Sequence, residues 1–169
     1  MKPITNPEQL ERLYRKAEQV CDFQRRIINP AWQAEHDWVV IPIYDNFSEY
    51  EFFYIPIALQ ALSISSCFAV CVSCNDKKAF LVDAATEDLW EFVSEFSITG
   101  DGLLFDEQLQ FALFREFGGD YGLVAGPKAF VEQALDGSLD TRARDYLFFE
   151  SNIGRPVKAP LSEYLEQMA

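Results

Sequence analysis

The stretch CFAVCVSCNDKKAFLV, residues 67–82, carries the clearest fold signal in this chain. Cys67 to Cys74 consists of apolar and small residues, which is typical of a buried strand. Residues 75–78 are polar and predict a turn, and Ala79 to Val82 then pairs back as a second strand. Because so short a turn joins antiparallel neighbours, the sequence predicts an antiparallel sheet here.

Two further strands are predicted around this hairpin. His36 to Tyr44 is rich in Trp, Val and Ile, and Pro42 places it at an edge or a bulge. Tyr121 to Ala125 is a short apolar run between glycines. The elements do not alternate regularly as βαβα, so we expect an α+β fold, with a small, mainly antiparallel sheet of about four strands packed with several helices. Residues 1–169 suit a single globular domain.

Helices are predicted from capping residues and from apolar positions at helical spacing. Asn6 is a helix cap, and Pro30 ends the helix that follows it. Asp106 is expected to cap a helix that runs through Phe117. The predicted helices begin at or near Pro7, Pro56, Thr86, Asp106, Pro127, Asp140 and Pro160.

The stretch from Phe52 to Asn75 contains no charged residue and is long enough to be a membrane-span candidate. Its serines, Pro56 and Gln60 do not suit lipid, and no Lys or Arg lies immediately before it. A buried helix followed by a buried strand is the preferred interpretation. For the first part, a strand over Phe52–Ile57 that ends at the proline is an open alternative.

The chain is strongly acidic, with 27 Asp and Glu against 14 Lys and Arg and a net charge of -13. Such a charge repels nucleic-acid phosphates and anionic membranes and attracts basic partners, although it also simply keeps a protein in solution. Residues 5–26 carry charges throughout and contain no apolar signal-peptide segment. We therefore expect a cytoplasmic protein whose four cysteines are reduced thiols.

The inventory of catalytic motifs is sparse. His36 is the only histidine, and on a strand its neighbour Asp37 would point to the opposite face. Neither a G-x-S-x-G elbow nor an H-E-x-x-H helix is present. We expect no catalytic residue, no metal site and no cofactor.

Two short motifs have a structural interpretation that we prefer to a functional one. Cys71-Val72-Ser73-Cys74 matches C-x-x-C, but strand alternation would send the two cysteines to opposite faces, so we expect plain core cysteines. The glycine-rich residues 118–128 fit neither a dinucleotide-binding nor a P-loop pattern. They predict a helix stop, a tight strand and a helix start.

Charge spacing is the most informative functional feature. Asp83, Glu87, Glu91 and Glu95 are four residues apart, which from Glu87 onward places carboxylates along one helix face. We expect this face to lie opposite a core stripe of Leu89, Trp90, Val93 and Phe96. Like charges at this spacing destabilise a helix slightly, so either the face is merely solvated or it binds a basic surface. The predicted partner-binding residues are Asp83, Glu87, Asp88, Glu91, Phe92 and Glu95.

The run FGGDYGLVAGPKAFV, residues 117–131, resembles segments of bacterial polymorphic-toxin immunity proteins. In some of these, a glycine-bounded strand leads into a short helix that begins near an aromatic–aliphatic pair. The resemblance covers about a tenth of the chain and carries over no binding residue. It implies a small cytosolic protein that occludes a cognate toxin, often a basic nuclease.

Three functions therefore follow as hypotheses. The first is an acidic binding protein that inhibits a basic protein partner by occlusion, such as a nuclease toxin, without binding nucleic acid or membrane. The second is a small enzyme that uses carboxylates with Tyr or Lys, which a deep pocket lined by carboxylates would favour. The third is membrane association through Phe52–Cys74. The sequence leaves the oligomeric state open.

Overall fold

The computed structural model describes residues 1–44, 51–93, 100–117 and 121–136. Within these ranges it contains five helices and nine short or medium strands. In chain order the elements are β1 (Lys2–Pro3), α1 (Pro7–Val20), β2 (Cys21–Asp22), β3 (Ile27–Ile28), α2 (Pro30–His36), β4 (Val39–Tyr44), α3 (Glu51–Ala61), β5 (Ser66–Cys71), β6 (Ala79–Asp83), α4 (Thr86–Val93), β7 (Gly102–Phe105), β8 (Ala112–Arg115), β9 (Tyr121–Gly126) and α5 (Lys128–Ala134).

Seven of these strands form one sheet in the order β1-β6-β5-β7-β8-β9-β4. Every neighbouring pair in it is antiparallel, and β2 and β3 form a separate antiparallel ribbon. The α+β class and the antiparallel sheet are therefore confirmed. The prediction of about four strands is wrong, because the described sheet has seven.

The missing strands are mainly β7 and β8, which lie at the centre of the sheet. All four residues of each are buried, so neither strand shows the alternation of apolar and polar residues that marks a half-exposed strand. Asp106 does cap a chain reversal, since its carboxylate accepts from the backbone N–H of Gln108 at 3.1 Å and of Gln110 at 2.6 Å. That reversal is a turn between two strands, and the predicted helix from Asp106 to Phe117 is wrong.

Helix and strand starts near the N-terminus are confirmed in part. The Asn6 side chain accepts a hydrogen bond from the Gln9 backbone N–H, as predicted for a cap. The prediction that Pro30 ends the first helix is wrong, because α1 ends at Val20. Pro30 begins a second helix, α2, which Asn29 caps. His36 consequently lies in the last turn of α2, and the predicted strand starts only at Val39.

The uncharged stretch from residue 52 to 75 is divided between α3 and β5. The helical interpretation is confirmed, although α3 begins at Glu51 and contains Pro56 in its interior. Among the helices in the described ranges, none is both long and apolar enough to cross a membrane. Pro42 lies on β4, which among the described strands pairs only with β9, so its predicted edge position is confirmed for this part of the chain.

The sheet has an apolar core on each face. Along β5, Val70 belongs to the first core, and Cys67, Ala69 and Cys71 belong to the second, as strand alternation requires. The first core includes buried residues of α1 and the partly buried Trp32 of α2, and the second includes α3, α4 and α5. The described chain is thus arranged as helices, sheet and helices in three layers.

Buried tyrosines connect the layers. The Tyr14 hydroxyl donates to the Cys71 carbonyl at 2.7 Å and accepts from the Lys78 backbone N–H at 2.9 Å. The Tyr121 hydroxyl donates to the Arg26 carbonyl at 2.9 Å. Burial raises the pKa of both phenols, because the charged phenolate is disfavoured away from water.

Replacing Tyr14 by Phe should cost about 1–3 kcal/mol of unfolding free energy at neutral pH, since two backbone groups lose a partner. A phenol with a raised pKa stabilises the fold below its unfolded value of 10.0 and loses that stabilisation as the pH rises further. The difference in unfolding free energy between wild type and Tyr14→Phe should therefore decrease above that pH. Urea unfolding at neutral and alkaline pH measures this, and a constant gap would contradict it.

Candidate functional site

Helix α4 carries the predicted acidic row, and its core face is set by three residues. Leu89, Phe92 and Val93 are 2%, 1% and 8% exposed, at the i, i+3, i+4 spacing of one helix side. Trp90 is 44% exposed. The predicted core stripe is therefore wrong in placing Trp90 inside, while Phe96, its last member, lies outside the described residues.

Phe92 is fixed in the core by its neighbours. A Cβ atom added at Gly102 would lie 2.9 Å from the Phe92 ring, so the ring packs directly on the β7 backbone. The guanidinium carbon of Arg115 lies 5.9 Å from the ring centroid, within the range of a cation–π contact. Phe92 was predicted to contact a partner beside the acidic row, but this burial leaves its side chain almost no surface for such a contact.

Two of the predicted carboxylates are paired within the chain. Asp88 accepts from the backbone N–H of Asp83 at 2.9 Å and from the amino group of Met1 at 3.2 Å, and Glu91 also accepts from that amino group. The Asp83 hydrogen bond and the Met1 amino group lower the pKa of Asp88. The hydrogen bond to Glu91 raises the pKa of the Met1 amino group. These charges are thus partly neutralised. The predicted Glu95 lies outside the described residues.

Asp83 and Glu87 are exposed, and Glu87 shares its helix side with Trp90. Residues three apart on a helix are surface neighbours. The outer side of α4 therefore presents a carboxylate next to an exposed tryptophan. Sequence reasoning missed Trp90 because both it and Phe92 are aromatic, and the choice between them depends on how α4 is rotated against the sheet.

An open groove lies beside the start of α4. Its volume is about 360 Å³, and it is lined by one side of α3 and by the chain that leads from β6 into α4. Ile57, which is 47% exposed, and Ile64 supply apolar surface, and Asp83 lies among the lining residues. We call Asp83, Glu87, Trp90 and this groove the α3–α4 surface.

A second, smaller cavity brings charged groups together. It measures about 120 Å³ and is lined by Lys2, Ser66, Leu81, Asp83 and Asp88. Sites for small organic ligands usually measure about 300–1,000 Å³. This cavity is well below that range.

The other singled-out residues have structural positions. His36 stacks on Trp32, with ring centroids 3.7 Å apart, and its Nδ1 lies 3.0 Å from the Trp32 carbonyl oxygen. Within the glycine-rich run, residues 121–126 form β9 and Pro127 precedes α5, as predicted. In the described ranges, no three His, Cys, Asp or Glu residues cluster as a metal site would require.

The C-x-x-C prediction needs a correction. Strand β5 ends at Cys71, so Cys74 lies beyond the strand and alternation does not separate the two side chains. The structure joins Cys71 and Cys74 in a disulfide, with Cα atoms 5.6 Å apart, so the prediction of four reduced thiols is wrong for this pair. Cys21 and Cys67 are free and buried, and burial raises the pKa of both thiols.

The comparisons with known proteins add no assignment. No protein-family model, no curated protein and no solved structure matches this chain. The resemblance of residues 117–131 to immunity proteins therefore stays a prediction.

The assignment of the two aromatic side chains of α4 can be tested by stability. Phe92→Ala should lower the unfolding free energy by about 3–5 kcal/mol, because it leaves a cavity in the core. Trp90→Ala should cost less, because this side chain is 44% exposed and its removal leaves no enclosed core cavity. Chemical denaturation of both variants measures the difference. A larger loss at Trp90 would show that α4 is rotated the other way.

Proposed function

We propose that this chain is an acidic binding protein that inhibits a basic partner protein by occlusion, in the manner of an immunity protein. The observation that carries the proposal is the α3–α4 surface, which comprises exposed Glu87 and Trp90 on α4 and an apolar groove that exposed Asp83 helps to line. The cytoplasmic location predicted from the sequence belongs to the same proposal.

Each part of the surface has a physical role in binding. Asp83 and Glu87, together with the net charge of -13, speed the approach of a basic surface, and this effect weakens as salt screens it. Trp90 offers a large apolar area with a polar N–H, and tryptophan is enriched among residues that dominate binding energy. The groove beside Asp83 can accept an apolar side chain that lies next to Lys or Arg in the partner.

Occlusion needs no chemistry from the inhibitor. A protein that covers a basic active site must match its charge and shape and must leave slowly. An acidic face competes with nucleic acid for the same cationic groups, which is why a nuclease is a natural target for this kind of surface. Direct binding of nucleic acid by this chain would be opposed by the same charge.

The alternative is a small carboxylate-based enzyme of unknown substrate. Asp83 and Asp88 would supply its carboxylates, with Lys2 as the nearby cation. The cavity that they line has about 120 Å³, which is too small to enclose most substrates. The larger groove is open and mainly apolar, so its form suits a partner side chain better than a reaction centre.

Charge reversal tests the proposal. The immobilised full-length chain is used to capture partners from its native host, and binding kinetics are then measured with each purified basic protein. The double variant Asp83→Lys/Glu87→Lys should slow association about tenfold or more at 0.01 M salt, where screening extends over about 30 Å. The effect should shrink at 0.1 M salt, where the screening length is about 10 Å.

A matched control separates this surface from net charge. Glu18→Lys/Glu35→Lys makes the same charge change on exposed residues of α1 and α2, which cover the other face of the sheet. This control should slow association much less. If both double variants behave alike, or if the captured protein keeps its activity when saturated with this chain, the proposal is wrong.

Truncation of the tryptophan tests affinity independently of charge. Trp90→Ala should accelerate dissociation about 30-fold, which corresponds to the roughly 2 kcal/mol of a central binding residue. Association should change little, since the side chain is uncharged. Surface plasmon resonance measures both rates. An unchanged dissociation rate would remove Trp90 from the binding surface.

A further inference from the structure

The Cys71–Cys74 disulfide lies at one end of the sheet, where one cysteine is buried and the other is partly exposed. Cys71 is the last residue of β5 and is 0% exposed. Cys74 follows the strand and is partly exposed. Cys74 is therefore the more accessible cysteine of the two.

The disulfide packs against the turn that leads into β7. A Cβ atom added at Gly100 would lie 2.9 Å from Cys71 Sγ and 3.2 Å from Cys74 Sγ, so the backbone touches both sulfurs. The Asp101 N–H donates to Ser73 Oγ at 2.8 Å. The Val72 N–H donates to the Asp101 carbonyl at 2.7 Å. Residues 71–74 and 100–101 thus form one packed unit.

That unit continues into a network of buried charge. Asp101 is 1% exposed. Its carboxylate accepts from the Phe117 N–H at 2.8 Å and lies 3.0 Å from Arg26 Nε. The buried Arg115 donates from Nη2 to the Gly100 carbonyl at 3.0 Å. A change in the disulfide would therefore alter the hydrogen bonds around Asp101.

The fold holds Cys71 in place without the disulfide. Its N–H donates to the Lys78 carbonyl at 3.0 Å, and its own carbonyl accepts from the Tyr14 hydroxyl at 2.7 Å. A bond that closes a separation of only three residues also restricts the unfolded chain little. What the bond fixes is the position of Cys74 and of Ser73 beside it.

We propose that Cys71–Cys74 is a thiol–disulfide exchange site that dithiols reduce through Cys74 while the sheet stays folded. A thiolate of the dithiol attacks Cys74 Sγ, the Cys71–Cys74 bond breaks, and Cys71 leaves as a thiolate that takes up a proton. The second thiolate of the reagent then displaces Cys74, which also takes up a proton. The protein gains two thiols, and the reagent becomes a disulfide.

Reduction releases the packed unit locally. Cys74 loses its cross-link to Cys71 at the end of β5, so Ser73 is held less firmly and its hydrogen bond from the Asp101 N–H opens more often. The free thiols of Cys21 and Cys67 stay out of the exchange because both are buried. This inference is independent of the proposed function, since it uses neither the α3–α4 surface nor a partner.

Thiol counting on the folded full-length protein tests the exchange. Air-oxidised protein is treated with dithiothreitol without denaturant, quenched with acid, then unfolded and labelled with a maleimide of high mass. Untreated protein should show two thiols and treated protein four, given four cysteines of which two are bonded. The single variants Cys21→Ala and Cys67→Ala should each lower both counts by one and leave the exchange rate unchanged.

Hydrogen exchange tests the local release. Reduction should speed exchange of the Asp101 N–H about tenfold, the factor that corresponds to one lost hydrogen bond, with amides of β8 and β9 unchanged. Cys71→Ser/Cys74→Ser should reproduce the reduced pattern. Four thiols before treatment, a count that stays at two after treatment without denaturant, or unfolding upon reduction would each overturn the proposal. An unchanged Asp101 N–H would overturn it as well.

Discussion

Burial of the β7–β8 pair on both faces is the constraint on which the rest of the structure depends. Leu103 pairs with Phe114 and faces the first core, while Leu104 pairs with Leu113 and faces the second. A sheet with such a centre is stable only when helices cover both sides. The layer of α3, α4 and α5 is therefore required to cover the second core. The α3–α4 surface is the solvent-exposed side of this layer.

The same constraint explains which elements could be predicted from the sequence. The Asn6 cap, the edge proline Pro42 and the polar turn after β5 are local signals, because each arises from residues within one turn or strand. The centre of the sheet has no such signal. Residues 112–115 are buried on both sides, so their apolar run has no periodicity, and Asp106 offers the same capping chemistry to a turn as to a helix.

The candidate site was predictable in its charges and unpredictable in its contacts. The spacing of Glu87 and Glu91 places carboxylates on one helix, and this needed only helix geometry. The pairing of Asp88 and Glu91 with the Met1 amino group spans 87 and 90 residues, and no local rule anticipates it. Trp90 was predicted in the core and Phe92 at the surface, and the structure has them the other way round. The reason is again a contact distant in sequence, because packing of Phe92 against Gly102 and Arg115 sets the rotation of α4.

That packing also links two features that are distant along the chain. Phe92 of α4 contacts Arg115, Arg115 bonds to the Gly100 carbonyl, and Gly100 touches both sulfurs of the disulfide. The helix that displays Trp90 is therefore joined to the C-x-x-C unit by a continuous series of buried contacts. Contiguity alone is not coupling, because coupling requires an element with two states that both ends favour differently. On this path the disulfide supplies two states, one oxidised and one reduced. The path couples its two ends if the oxidation state of the disulfide changes the conformation of α4.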